Sequence, residues 1–232
     1  MPNKRYTEAL KQVDARKVYP LAEAVEILKK MPHAKFDETV DLAFKLNVDP
    51  KQSDQMVRGT VPLPHGSGKK VRILAFAEGS QAAAAKEAGA EYVGYKDMIA
   101  KIKGGWFDFD VAVATPETMQ EVRKLGKELG PKGLMPNPKT GTVSEDLAKA
   151  VREVKAGRVE FKMDKNGNLH VVVAKVSFDG RQLMENARAV IEAVVKARPA
   201  SVKGLFLNSC ILSSTMSPGL RIDLREFVAA AS

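Results

Sequence analysis

The residues whose types and spacing could do chemistry fall in a few short stretches, and the first of them looks like a phosphate-binding loop. Gly66-Ser67-Gly68-Lys69-Lys70 contains the Gly-Lys pair of such a loop. A Walker motif also needs a glycine five residues before that pair and a Ser or Thr after the lysine, to cradle phosphates and hold a metal ion. Here those positions are Leu63 and Lys70, and the loop precedes an apolar strand-like run where it should follow one. Glu78-Gly79-Ser80 places Ser80 where it could cap a helix whose backbone N–H groups face an anion. Without a Gly-x-Gly-x-x-Gly pattern it reads as a cap. Asp108 and Asp110 flank Phe109 at the start of a strand, whereas ligands of open α/β sheets lie at the strands' carboxyl ends. Cys210 lies in the apolar run 206–212, which suits a small buried residue rather than a nucleophile, and one cysteine makes no disulfide within the chain. His33, His65 and His170 are far apart and have no neighbour at metal-ligand spacing. The residues therefore point to no catalytic group, no metal and no cofactor.

A different chemistry fits three other stretches. The formal net charge of +9 and pI near 9.5 favour a polyanionic partner, because neutralised phosphates release counterions. The loop 130–142, Gly-Pro-Lys-Gly-Leu-Met-Pro-Asn-Pro-Lys-Thr-Gly-Thr, combines three prolines that fix φ with three glycines that relax it. That is a rigid, shaped loop, and Lys132 and Lys139 suit it to a phosphate backbone. The stretch 213–219 offers small hydroxyls beside Met216. Such a surface can hydrogen-bond ribose 2′-hydroxyls while the methionine packs on sugar edges, or it can be only a serine-rich turn. In Lys35-Phe36-Asp37-Glu38-Thr39, Phe36 could stack on a base; by residue type alone, completing a core is the more ordinary role of a lone phenylalanine.

The elements that must position these groups follow from hydrophobic period. Leu21, Ala24, Val25 and Leu28 predict a helix over 20–31 with one buried face, and alternation over 40–48 predicts a half-solvated strand. A second strand, 56–63, ends at a Pro and Gly cluster. The run 71–77 is continuously apolar and is followed by an Ala-rich helix over 81–88. A short strand at 92–93 precedes a helix around 97–103, and a strand over 109–114 precedes a helix over 117–129. Strands alternating with helices imply parallel pairing with helices on both faces. Alternation returns at 159–163 and 169–176, joined through Lys165-Asn166-Gly167-Asn168, where Asn-Gly predicts a hairpin. A helix over 182–197 and a strand over 204–212 follow.

Neither the early nor the late segment holds enough strands to bury a sheet face alone. The expected fold is therefore an α+β domain of antiparallel sheet and helices made from both chain ends, 1–66 and 159–232. An α/β Rossmann-like three-layer domain, 67–158, is expected to be inserted into it. The start of the chain lacks the apolar core of a secretory signal, and no segment approaches the roughly 18 apolar residues of a membrane span, so no membrane partner is expected.

The motifs Lys35-Phe36-Asp37-Glu38-Thr39-Val40, Val57-Arg58-Gly59-Thr60-Val61, the loop from Gly130 to Pro138, and Ser214-Thr215-Met216 occur in the order and at the spacing of a known family. Across nearly its whole length the chain resembles the L-one family of large-subunit ribosomal proteins. The resemblance implies a structural, non-enzymatic, cytoplasmic protein, a monomer within the bacterial large ribosomal subunit. Its discontinuous domain would bind the stalk helices of ribosomal RNA, near the exit-site tRNA whose release the moving stalk assists. The free protein would repress translation of its own operon mRNA. Carried over position by position, Lys35, Phe36 and Thr39 match the family's first RNA-contacting strand, and Ser209, Thr215 and Met216 its second cluster. Ser217 belongs with that cluster but stands where the family usually has glycine. Lys165 and His170 are further candidates, and Lys132 and Lys139 candidate contacts from the inserted domain. Two other classes remain alternatives: an RNA-binding regulator outside the ribosome, and an enzyme using the Rossmann-like block for a nucleotide.

Overall fold

The computed structural model describes residues 4–14 and 16–229, the side chains of Ser53, Lys139, Val228 and Ala229 excepted. Its elements in chain order are α1 (Lys4–Leu10), α2 (Leu21–Lys30), β1 (Thr39–Leu46), β2 (Arg58–Pro62), β3 (Ile73–Phe76), α3 (Gly79–Glu87), β4 (Tyr92–Gly94), α4 (Lys96–Lys103), β5 (Val111–Ala114), α5 (Met119–Val122), α6 (Gly126–Leu129), α7 (Leu147–Lys155), β6 (Arg158–Lys162), β7 (Asn168–Lys175), α8 (Gly180–Lys196), β8 (Leu207–Ser214), β9 (Leu220–Ile222) and α9 (Arg225–Ala229). This mixed α/β chain divides into two compact units, Met1–Lys69 with Gly157–Ser232, and Lys70–Ala156.

In the first unit a four-stranded antiparallel sheet runs in the order β7-β1-β8-β9. The period-2 pattern of β1 sends Val40, Leu42, Phe44 and Leu46 into the core, where they meet Leu28 of α2 and Val190, Ile191 and Val194 of α8. The opposite face keeps Asp41, Ala43, Ile211 and Ser213 half-buried and Lys45, His170, Val172 and Arg221 exposed. One face of the sheet is thus committed to helices, and the other presents mostly polar side chains. α2 starts after Pro20, whose fixed φ suits a helix entry, and stops at Met31, which is extended because Pro32 follows. At the start of α8 the Asp179 N–H donates to Gln182 Oε1 at 3.2 Å.

The sequence predicts a hairpin joining 159–163 to 169–176. The turn is present, with Met163 and Leu169 in an antiparallel bridge and the Asp164 N–H donating to the Asn168 carbonyl at 2.8 Å, but beyond it the strands join different sheets: β6 pairs with β2 and β7 with β1. The Asp164 carboxylate accepts the N–H groups of Asn166 at 2.8 Å and Asn168 at 2.7 Å and braces the loop from inside.

The second unit is built on the parallel sheet β4-β3-β5. All four residues of β3 are buried because helices cover both faces: Leu74 and Phe76 pack with Met98 and Ile102 of α4, Ile73 and Ala75 with Ala85 of α3 and Val151 of α7. The helix expected over 117–129 is broken into α5, a 3₁₀ turn Arg123–Leu125, and α6. Met119, Val122 and Leu125 are all buried, and a spacing of three keeps them on one face only if the chain tightens toward three residues per turn.

A register slip between Val40 and Asp41 leaves Val173 of β7 without a partner in the ladder. Its carbonyl accepts Asn186 Nδ2 at 3.0 Å; the same amide donates to the Gly66 carbonyl at 2.9 Å and accepts the His65 N–H at 3.1 Å. Asn186 is fully buried, so these bonds have no solvent to replace them. Nearby, Gly157 has φ +96° and a Cβ there would lie 2.3 Å from the Gly66 Cα, so this crossing of two backbones requires glycine. Replacing Asn186→Leu should destabilise the chain by about 2–4 kcal/mol, the cost of orphaned buried groups. Urea unfolding measures this; an unchanged midpoint would show that the amide contributes nothing net.

Candidate nucleic-acid interface

Two segments far apart in sequence meet at one end of the four-stranded sheet. Glu38, only 1% exposed, accepts the Ala34 N–H at 2.5 Å on one carboxylate oxygen. On the other it accepts the Ser214 hydroxyl at 2.6 Å and the Met216 N–H at 3.1 Å. Burial opposes the charge of Glu38, but these hydrogen bonds, with His33 nearby, outweigh it and hold the carboxyl below the ordinary glutamate range. Beside this clamp, Thr215 N–H donates to the Thr39 carbonyl at 3.0 Å and Thr39 N–H to Thr215 Oγ1 at 3.0 Å, which carries the β1–β8 ladder into the loop. Lys175 Nζ donates to Thr39 Oγ1 at 2.8 Å, and Ser177 donates to both carboxylate oxygens of Asp37. The chain is therefore tied down on both sides of Lys35 and Phe36, at 34 and 37–39, and through 214–216.

The side chains left outside this frame are the informative ones. Phe36 is 55% exposed and Met216 47% exposed, with Lys35 and Thr215 beside them in the chain and also exposed. The exposure overturns the expectation from residue type that Phe36 completes a core. Folding alone gives no reason to hold two large apolar groups in water on a rigid mount, whereas a binding surface does.

The sheet's open face continues from this end. Ser209 is half-buried opposite Lys45, His170 is exposed opposite Ala43, and Lys45 Nζ donates to the Asn166 carbonyl at 2.6 Å. Lys165 is exposed in the turn beside Asn166. From Thr39 to Lys45 the strand rises roughly 20 Å, so these candidates form a strip and not a point. Asp41 lies between Val172 and Ser213 on this face. Burial raises its pKa, His170 and Lys175 act in the opposite sense, and its Oδ1 has no hydrogen-bond partner among the described residues. That oxygen is shielded from solvent, so the fold itself leaves it without a donor. Motif reading passed over both Asp41 and Glu38. Asp41 was visible as the one acidic residue in the polar phase of a strand; Glu38 gave no such signal, because its partners lie up to 178 residues away.

Ser217 Oγ is turned into its own loop, accepting the Ser214 N–H at 2.8 Å and donating to the Pro218 carbonyl at 3.1 Å. Lys132 is in the other unit, with Nζ 3.3 Å from the centroid of the Phe107 ring, a cation–π contact that fixes the 130–142 loop. The Lys139 side chain lies outside the described residues.

The usual ligand position of a parallel sheet, beyond the ends of β3 and β5, holds a recess of about 120 Å³ lined by Glu78, Gln81, Tyr95, Thr115, Glu117 and Thr118. That is too small for a nucleotide, and its two carboxylates repel phosphate. Cys210 is buried and burial raises its thiol pKa, so it stays neutral.

The profile of the ribosomal protein L1p/L10e family matches residues 28–218. The chain is similar to the large ribosomal subunit protein uL1 of Protochlamydia amoebophila (strain UWE25), at 55% identity over 230 residues, covering 99% of this chain and 98% of that one. The chain belongs to the ribosomal protein L1p/L10e family, a family of structural and not catalytic proteins.

Because the Glu38 pKa is depressed in the folded state, its contribution to stability is fully present above the unfolded value and fades as pH falls through the folded one. Glu38→Gln should therefore cost about 2 kcal/mol at pH 7, in the range of hydrogen bonds to a buried charge, and progressively less below the ordinary carboxylate range. Urea unfolding of both proteins from pH 7 to pH 3 checks this. A gap that does not shrink on acidification would assign the effect to packing.

Proposed function

We propose that this chain is a cytoplasmic protein of the large ribosomal subunit that binds the RNA of the mobile stalk. The interface would be the segments 34–39 and 213–217 with the open face of the sheet. The discontinuous domain of 1–66 and 159–232 supplies most of the affinity, and the inserted Rossmann-like domain of 67–158 adds weaker contacts. The carrying observation is that Phe36 and Met216 stand exposed beside segments that Glu38 ties together by hydrogen bonds. Family membership supports the same reading.

The chemistry follows from the side chains. Folded RNA offers a shallow minor groove of 2′-hydroxyls and sugar edges and, in loops, unstacked bases. Ser209, and the lone pairs that Thr39 and Thr215 keep beyond their bonds within the frame, suit the former; Met216 packs on sugars, and Phe36 stacks on a base. Lys35, Lys165 and, when protonated, His170 face phosphates, contributing salt-dependent affinity without sequence information. Proximity to the exit-site tRNA, whose release a moving stalk assists, and repression of the chain's own operon mRNA through a look-alike RNA site complete the proposal.

Met216→Asp should weaken binding to a stalk-RNA fragment by about 1–3 kcal/mol, and Thr215→Val by a similar amount, as expected for losing one well-formed contact. Filter binding at fixed salt, with folding checked by circular dichroism, measures both. Wild-type affinity in both folded variants would remove this surface from the account.

A further inference from the structure

We propose that Ser217 is a positioning residue of the RNA surface: its hydroxyl braces the 214–217 turn from inside and holds Thr215 and Met216 in their binding geometry before RNA arrives. The inference rests on the RNA-binding reading above and deepens it, by separating the residues that touch RNA from one that sets where they stand.

Thr215 gives its N–H to Thr39 on β1, so by the alternation of an extended chain the N–H of Ser214 points the other way, toward the side of β9. But β9 begins at Leu220, and its pairing with β8 reaches no further than Leu212. The ladder offers Ser214 no partner there. The Ser217 hydroxyl takes that place at 2.8 Å, while the Ser217 N–H returns to the Ser214 carbonyl at 3.2 Å. Two bonds of opposite polarity thus close the turn on itself. The hydroxyl's only hydrogen goes to the Pro218 carbonyl at 3.1 Å, leaving none to donate to an RNA.

The same turn is fixed from its other side by Glu38, which receives the Ser214 hydroxyl and the Met216 N–H. Ser214 is therefore held at its side chain by Glu38 and at its backbone by Ser217, and Thr215 and Met216 span the gap between these anchors. Ser217 has no positive φ, so its side chain costs no backbone strain. Glycine at this position would remove the brace and also widen the conformations open to the loop, so that RNA would have to order the loop as it binds.

The test uses the full chain and three variants, Ser217→Gly, Ser217→Ala and Ser217→Thr. Two quantities are read: amide hydrogen exchange at Ser214 in the free protein, and affinity for a stalk-RNA fragment against random RNA of equal length. The expected result is faster exchange at Ser214 in the Gly and Ala variants, a loss of RNA affinity of about five- to twentyfold in both, and recovery of both readouts in the Thr variant. Affinity lost with Ser214 exchange unchanged would make Ser217 a direct RNA contact and overturn the proposal. Wild-type affinity in the Gly and Ala variants would overturn it as well. A wild-type chain that does not prefer stalk RNA would remove the RNA-binding reading itself, and the proposal with it, whatever the exchange data show.

Discussion

One buried carboxylate organises the end of the sheet that carries the candidate interface. Glu38 receives hydrogen bonds from residue 34 on one side and from residues 214 and 216 on the other, joining stretches that sequence separates by most of the chain. A charge so far from water would be costly alone; three donors aimed at two oxygens offset that cost and make the geometry specific. The surrounding fold serves this junction. β1 lies between β7 and β8, so the strand leading from Glu38 is paired on both sides, and the turn after β8 arrives already in register. The apolar face of the sheet is spent on α2 and α8, which leaves the polar face, and the loops at its end, free for a partner.

The division of labour among side chains then becomes clear. Glu38, buried, and Asp37, Lys175 and Ser177, nearer the surface, are engaged within the frame and hold its segments together. Phe36, Met216, Lys35 and Thr215 face outward, and their variety matches the variety of an RNA surface, with its bases, sugars and phosphates. Asp41 is the exception on the open face, a half-buried acid with one oxygen both shielded and unsatisfied. The parallel-sheet unit offers nothing comparable: its recess is small and acidic, and Lys132 is engaged with Phe107.

Much of this was legible from period and composition. Alternation over 40–48 marks β1, and the uninterrupted apolar run 71–77 marks β3, because a strand covered on both faces has no polar phase to show. The helix α7 carries the same kind of signal, with Asp146 accepting the Lys149 N–H as its cap and Leu147, Ala150, Val151 and Val154 on one stripe. Other features left no local trace. β9 is three residues long, and the parting of β6 from β7 beyond their shared turn follows from their pairing with β2 and β1, far away in sequence. The clamp at Glu38 and the brace at Ser217 are relations between residues whose separate identities, an acid and a serine in polar segments, are unremarkable. Motif order could point to where the surface lies, but only coordinates show which of its residues hold and which are held out.

The most direct test is ultraviolet crosslinking of the intact chain to a large-subunit stalk RNA fragment, followed by peptide mapping. The account predicts crosslinks on the peptides that contain Phe36 and Met216, brought together on one RNA. Crosslinks confined to residues 70–156, with those two peptides untouched, would contradict it.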